Sequence, residues 1–213
     1  MIKSLVFGAT GLVGRSLISE LSDSDIDVLA VSRRSILDIP KNIKVLETNL
    51  DVFIQQNEFP ECDHVFICLG TTIKKAGSQK EFRKVDFNYC VDIAKKAKES
   101  GTERISLVSS IGASSTANNF YLKTKGQTEE AIKEIGFSST NIYRPSLLIG
   151  RRKDSRLMEG VGQQFSGLVD PFLWGSMKKF RSISANKLAK AMKKNIKSAD
   201  GVNYFYFEDF LDL

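Results

Sequence analysis

Histidine is almost missing from this chain: His64 stands alone among 213 residues. That excludes a multi-histidine metal centre and leaves a single imidazole to activate any nucleophile, so no metal site and no cysteine catalysis are expected. Cysteine is scarce as well. Cys62, Cys68 and Cys90 are odd in number and never fall in a C-x-x-C spacing, which argues against a disulfide scaffold and against structural zinc. Four prolines are too few for a Pro-rich linker. No apolar run approaches the roughly 18 residues read as a membrane span. The opening Met1-Ile2-Lys3-Ser4 passes into Leu5-Val6-Phe7-Gly8 without the layout of a secretory signal. Free thiols used as small apolar groups fit a reducing compartment, and the cytoplasm is the expected location.

What is present is ordinary globular material. Hydrophobic residues make up 42% and charged residues 26%, enough for a core and far from a disordered composition. The length suits one domain. Lys and Arg number 31 against 25 Asp and Glu, a net charge of +6, which favours anionic ligands without naming one.

Short β-branched and aromatic runs alternate with segments of helical period. Residues 2–7, 27–31, 44–46, 64–68, 104–108 and 140–143 read as strands. Helices are expected from residue 12 for about ten residues, and over 51–56, 79–99 and 120–135. In the long helix Phe82, Val85, Tyr89, Ile93 and Ala97 recur three or four apart, and Gly101 suits its end. Alternation of this kind implies an α/β fold: a Rossmann-type doubly wound parallel sheet with helices on both faces. The whole chain, 1–213, is expected to be one such domain, its core over about 1–145. A small C-terminal cap on the substrate side is expected over about 146–213, where the pattern loosens and glycines cluster.

Gly8-Ala9-Thr10-Gly11-Leu12-Val13-Gly14 joins the first strand to the first helix. Glycine permits the tight turn and the close approach of a pyrophosphate, and the third glycine lets helix and strand pack closely. The helix N-terminus then offers free N–H groups to the anion. An NAD site usually has a carboxylate after the second strand to accept from the ribose 2′-hydroxyl. Here Ser32-Arg33-Arg34 stands in its place. Two guanidinium groups suit a 2′-phosphate, so NADP(H) is expected in preference to NAD(H). Tyr121 and Lys125 are four apart on one face of the helix after the fifth strand. A cation beside a phenol favours the phenolate and suits proton exchange. Ser109 or Ser110, at the end of that strand, would hold a substrate carbonyl.

These residues resemble the short-chain dehydrogenase/reductase superfamily in its extended and atypical branches. Cys68-Leu69-Gly70-Thr71-Thr72 with Lys75-Ala76-Gly77, Val85-Asp86 and Tyr121-Leu122-Lys123-Thr124-Lys125-Gly126 narrow the likeness to the Tat-interacting-protein-like oxidoreductases. Tyr143-Arg144-Pro145 and the run Arg151-Arg152-Lys153-Asp154-Ser155-Arg156 extend it. The resemblance implies Tyr121 as proton donor or acceptor, with Lys125 holding the nicotinamide ribose and lowering the tyrosine pKa. It implies Leu69, Gly70 and Thr71 along the cofactor, with Arg144 nearby. The superfamily serine falls on Ser110 by the paired-serine pattern and on Ser109 by spacing, so Ser110 is the catalytic candidate and Ser109 its neighbour at the cofactor. The region after Pro145 is short for a nucleotide-sugar substrate, and a small one is expected.

Residues 178–197, opening on Lys178 and closing on Lys197, hold eight basic side chains and no acidic one. Lys187, Lys190, Lys194 and Lys197 would form the wet face of a helix whose other face, Leu188, Met192 and Ile196, packs inward. Peripheral membrane contact through this segment is the less favoured reading. The aromatic run at 204–207 reads as a terminal strand or interface patch, and no nucleic-acid partner is expected. The leading expectation is an NADP(H)-dependent oxidoreductase for a small carbonyl or alcohol. The alternative is an NADPH-binding regulatory or partner-binding protein with little or no turnover. Homo-oligomerisation or a protein partner stays open.

Overall fold

A computed structural model describes residues 1–36, 39–56, 58–150 and 173–211. Its strands are β1 (Ile2–Phe7), β2 (Ile26–Ser32), β3 (Lys44–Glu47), β4 (His64–Ile67), β5 (Arg104–Val108), β6 (Ser139–Tyr143), β7 (Leu148–Ile149), β8 (Ile183–Ser184) and β9 (Gly201–Phe205). Seven of them form one sheet in the order β3-β2-β1-β4-β5-β6-β9, and β7 pairs with β8 apart from it. Every pairing is parallel. The central strands β4 and β6 are buried along their whole length. Helices cover both faces, which is why these runs are continuously apolar or small rather than alternating.

The helices are α1 (Leu12–Ser22), α2 (Leu50–Gln55), α3 (Ile73–Ala76), α4 (Gln79–Arg83), α5 (Tyr89–Glu99), α6 (Phe120–Ile135) and α7 (Ala185–Lys194). Side chains that alternate along each strand feed two cores. Leu5, Phe7, Val65, Ile67, Ile105 and Leu107 pack with Phe53 of α2, Ile93 and Ala97 of α5, and Ile132 of α6. Val6, Val28, Phe66 and Tyr143 pack with Leu17 and Leu21 of α1 and Leu188 and Met192 of α7. Each fully buried Leu or Phe contributes about 1.5–3 kcal/mol relative to exposure.

The segment expected as one long helix does run unbroken from α4 into α5, but through a single π-helical turn, Lys84–Asn88. The buried stripe differs from the expected one. Phe82, Asp86, Cys90, Ile93, Ala94 and Ala97 are buried, while Val85 and Tyr89 are only half-buried.

The sheet also continues past residue 145. β9 pairs with β6, Tyr143 opposite Phe205, and α7 lies on α1, with Ser16 Oγ donating to Asn186 Oδ1 at 2.7 Å. Ser184 caps α7. Lys187, Lys190, Lys194 and Lys197 are exposed while Leu188, Met192 and Ile196 are buried. Of the expected cap, residues 151–172, including the run Arg151 to Arg156, lie outside the described residues. Among the described helices none is long and apolar enough to cross a membrane.

Candidate functional site

The chain lays β2 and β3 on one side of β1, then β4, β5 and β6 on the other. This reversal makes the crevice beyond the carboxyl ends of β1 and β4 the place where a ligand binds such a sheet. Register carries the candidate residues there. Phe7 lies opposite Val31 and Ile67, and Val108 opposite Tyr143. Gly8, Ser32, Cys68, Ser109 and Arg144 therefore all leave the sheet along one edge.

Two glycines of the first loop are demanded by close packing. Gly8 has φ +82°, and a Cβ there would stand 2.5 Å from the Cys68 carbonyl oxygen. A Cβ on Gly14 would collide with the carbonyl of Gly8, so the first turn of α1 sits directly on the loop. Gly11 N–H donates to Gly8 O at 2.8 Å and closes the turn. Gly11 also stands at the N-cap of α1 without a side-chain cap. Asn49, Thr72, Ser78, Asn119 and Ser184 each cap the helix they precede. Among the described α-helices that begin from a loop, α1 alone keeps its first N–H groups free of a side chain, which suits a phosphate. Thr10 and Gly11 are exposed, Leu12 is half-buried, and Ala9 and Val13 are buried. Arg33 and Arg34 are exposed after β2. Among the described residues neither guanidinium is paired, and Ser32 Oγ fixes the turn by donating to Arg34 O at 2.7 Å. These groups fit a dinucleotide: open N–H donors for the pyrophosphate and two free cations at the next strand end.

On the other side of the crevice α6 begins at its Asn119 cap, Asn119 Oδ1 accepting from Leu122 N at 3.1 Å. Its first turns place Tyr121, half-buried against the Phe82 ring at 5.5 Å, and Lys125, only 5% exposed. A Cβ on Gly126 would collide with the backbone of Ser114 and Ser115, so the helix lies directly on the loop that follows β5. The Lys125 ammonium faces Asp86 Oδ1 at 2.8 Å and donates to Val108 O at 3.3 Å. Burial works against the ammonium but is outweighed by the Asp86 carboxylate, with Tyr121 and Cys90 adding to it, and the pKa of Lys125 lies above the usual lysine value. Burial also pushes the Cys68 and Cys90 thiols up to about 12, so neither supplies a thiolate.

The two serines part company. Ser109 is buried, its hydroxyl donating to Glu129 in a very short hydrogen bond. Ser110 is half-buried, and among the described residues its hydroxyl donates to the Ile111 carbonyl at 3.3 Å alone, leaving it the more available of the two. Arg144 is held by Glu129 through Nε at 3.0 Å and Nη2 at 2.5 Å, by Tyr206 at 3.2 Å, and over the Tyr204 ring at 4.6 Å. Its guanidinium thus faces the β6–β9 edge. Leu69 and Thr71 are half-buried and Gly70 exposed at the end of β4.

Asp86 and Glu129 were not singled out for any role by the pattern of the sequence, although each carried a signal. Each is a carboxylate on the inward stripe of a helix, where charge is rare unless paired. His64 is wholly buried, with Nε2 and Ser106 Oγ 2.9 Å apart. Among the described residues no three His, Cys, Asp or Glu side chains converge on a metal position. A surface hollow of about 360 Å³ lies between α5 and α6 around Val91, Asp92 and Ala131. Its lining contains none of these groups.

A family model described as NAD(P)H-binding matches residues 8–198. Protein FMP52, mitochondrial, from Candida albicans is 32% identical over 182 residues, covering 82% of this chain and 78% of that protein. Its counterpart in Meyerozyma guilliermondii is 39% identical over 158 residues, covering 72% and 68%. Protein HTATIP2 of Rattus norvegicus is 30% identical over 177 residues, covering 80% and 72%. Among solved structures, the UDP-glucose 4-epimerase of Thermotoga maritima with UDP-glucose superposes with TM-score 0.74 at 15% identity, over 96% of this chain and 77% of that one. The human epimerase family protein SDR39U1 with NADPH gives 0.67 at 19%, over 95% and 74%. These two likenesses show the fold. The FMP52 relatives overturn the cytoplasmic expectation, since their names point to the mitochondrion. Free thiols report a reducing environment and not an address, and a fold built to bind a dinucleotide carries no mark of its compartment. With the glycine loop, the reversed strand order and these relatives in agreement, the chain belongs to the NAD(P)H-binding proteins of the extended short-chain dehydrogenase/reductase type.

Proposed function

We propose that the chain is an NADP(H)-dependent oxidoreductase acting on a small carbonyl or alcohol. The observation that carries this reading is the Tyr121 and Lys125 pair at the start of α6, set across the strand ends from the uncapped start of α1. When bound there, the nicotinamide supplies or accepts the hydride. Tyr121 exchanges a proton with the substrate oxygen, and the Ser110 hydroxyl holds that oxygen. Lys125 places a positive charge beside the exchanging group and donates to the nicotinamide ribose. The backbone at Leu69, Gly70 and Thr71 borders the cofactor, while Arg33 and Arg34 receive the 2′-phosphate. The human relative in fold solved with NADPH is in keeping with that choice.

The test is to follow NADPH absorbance against a panel of aldehydes, ketones and quinones, with Tyr121→Phe as the control. Turnover that disappears in Tyr121→Phe while NADPH still binds is the expected result. Tight NADPH binding with no turnover on any compound would refute the enzyme reading in favour of a cofactor-binding regulatory or partner-binding protein.

A further inference from the structure

We infer that Asp86 is a positioning residue of this site, fixing the Lys125 ammonium at the end of β5 and serving as its counter-ion. The inference rests on the oxidoreductase reading, in which Lys125 faces the nicotinamide ribose. Asp86 is completely buried and joins three parts of the crevice. Oδ1 meets the Lys125 ammonium at 2.8 Å. Oδ2 accepts from the Thr71 N–H at 2.9 Å, which ties in the loop after β4. Its backbone carbonyl accepts from Thr128 Oγ1 at 2.8 Å, one turn beyond Lys125 on α6. A Cβ on the exposed Gly70 would stand 3.6 Å from Asp86 Oδ1 and 3.8 Å from Lys125 Nζ, so the ion pair lies just under the backbone expected to border the cofactor.

Asp86 lies inside the π-helical turn Lys84–Asn88, on the buried face that it shares with Phe82 and Cys90, four residues to either side. Single π turns inside α-helices gather at functional sites. A buried carboxylate there is costly without a cation, and Lys125 is the cation it has. Among the described residues the ionisable groups facing Lys125 are Asp86 and Cys90 from the helix opposite, and Tyr121 from its own. Cys68 stands near Cys90 from the end of β4, and both thiols stay neutral below about pH 12. Glu129, one turn along α6, is taken up by Arg144 and Ser109. Across the neutral range, Asp86 is therefore the anion that opposes the effect of burial on Lys125.

Asp86→Asn removes the charge and keeps an acceptor for Thr71. NADPH affinity, measured by fluorescence from pH 7 to 9.5 and expressed relative to wild type, should be close to wild type at pH 7. It should weaken by about tenfold toward pH 9.5 as the ammonium is lost, the worth of one hydrogen bond from a charged donor. Lys125→Met should bind weakly at every pH, and Asp86→Asn/Lys125→Met should match it. Circular dichroism verifies folding, and Asp86→Ser takes the place of Asp86→Asn if the latter does not fold. A ratio that does not change with pH, or a double variant weaker than Lys125→Met, overturns the inference alone. Wild-type protein that binds neither NADPH nor NADH overturns the functional reading and this inference with it.

Discussion

Acid should destabilise this protein through its one histidine, and the size of the effect can be worked from the structure. His64 is wholly buried, stacked on Phe66 with ring centroids 4.1 Å apart, and its Nε2 is paired with Ser106 Oγ. Burial, reinforced by the nearby Arg104 charge and opposed by a backbone interaction at Ile196, lowers its pKa to about 3. In the unfolded chain the ring titrates near its ordinary value of about 6.5. Below that value the unfolded state binds a proton that the folded state refuses, so stability falls as the pH falls. Each pH unit costs about 1.4 kcal/mol. At pH 5 the loss is about 2 kcal/mol, and it approaches about 5 kcal/mol near pH 3, where the folded ring also takes up its proton. Against a total of roughly 5–15 kcal/mol such a loss is large. Urea unfolding of wild type and of His64→Gln, from pH 7.5 to 4, isolates the term, because carboxylate titrations are common to both and cancel in the difference. The wild-type curve should fall away from the variant by about one proton's slope below pH 6.5. Parallel curves would refute the reasoning, as would a His64 proton resonance that titrates near pH 6.5 in the folded protein.

Other expectations follow from the same structure. Gly14→Ala drives a Cβ into the Gly8 carbonyl and should cost about 1–3 kcal/mol of stability, the usual price of overpacking. NADPH affinity should fall with it, and unchanged melting with unchanged binding would contradict the packing described for the loop. Glu129→Gln leaves Arg144 without its carboxylate in a site where the acid side chain is 2% exposed; denaturant melts should show a loss of about 3 kcal/mol. Glu129→Leu/Arg144→Leu should recover much of it, and a double variant as unstable as the sum of the single changes would argue against a coupled pair. Replacing Arg33 and Arg34 by Asp and Ser should weaken NADPH far more than NADH in parallel titrations. Equal effects on both would remove the case for a 2′-phosphate.

The elements legible in the sequence were those whose signal is local. The helix Phe120–Ile135 is bounded by an Asn cap and by Gly136, and its expected limits match those observed. Strands β1, β2 and β4 are runs that only a sheet covered on both faces would bury. The edge strand β9 was less plain. Gly201–Phe205 is half wet, and its membership in the sheet depends on pairing with β6, more than fifty residues earlier in the chain. Helical spacing of apolar residues places Val85 on the inner stripe and passes over Asp86, because a carboxylate four residues from Phe82 carries no hydrophobic signal.

By itself the sequence determined the class of fold, the glycine loop, the two arginines after β2 and the spacing of Tyr121 and Lys125. Each of these is settled by backbone conformation, charge or periodicity within a few neighbouring residues. The tertiary structure decided how distant polar groups share one another. It gave Lys125 to Asp86, both Ser109 and Arg144 to Glu129, and among the described residues it left the start of α1 without a side-chain cap. Such choices turn on distances of about 3 Å between residues 15 to 40 positions apart in the chain. A buried charge must find its partner wherever the fold brings one within reach, and no spacing along a single strand or helix records that.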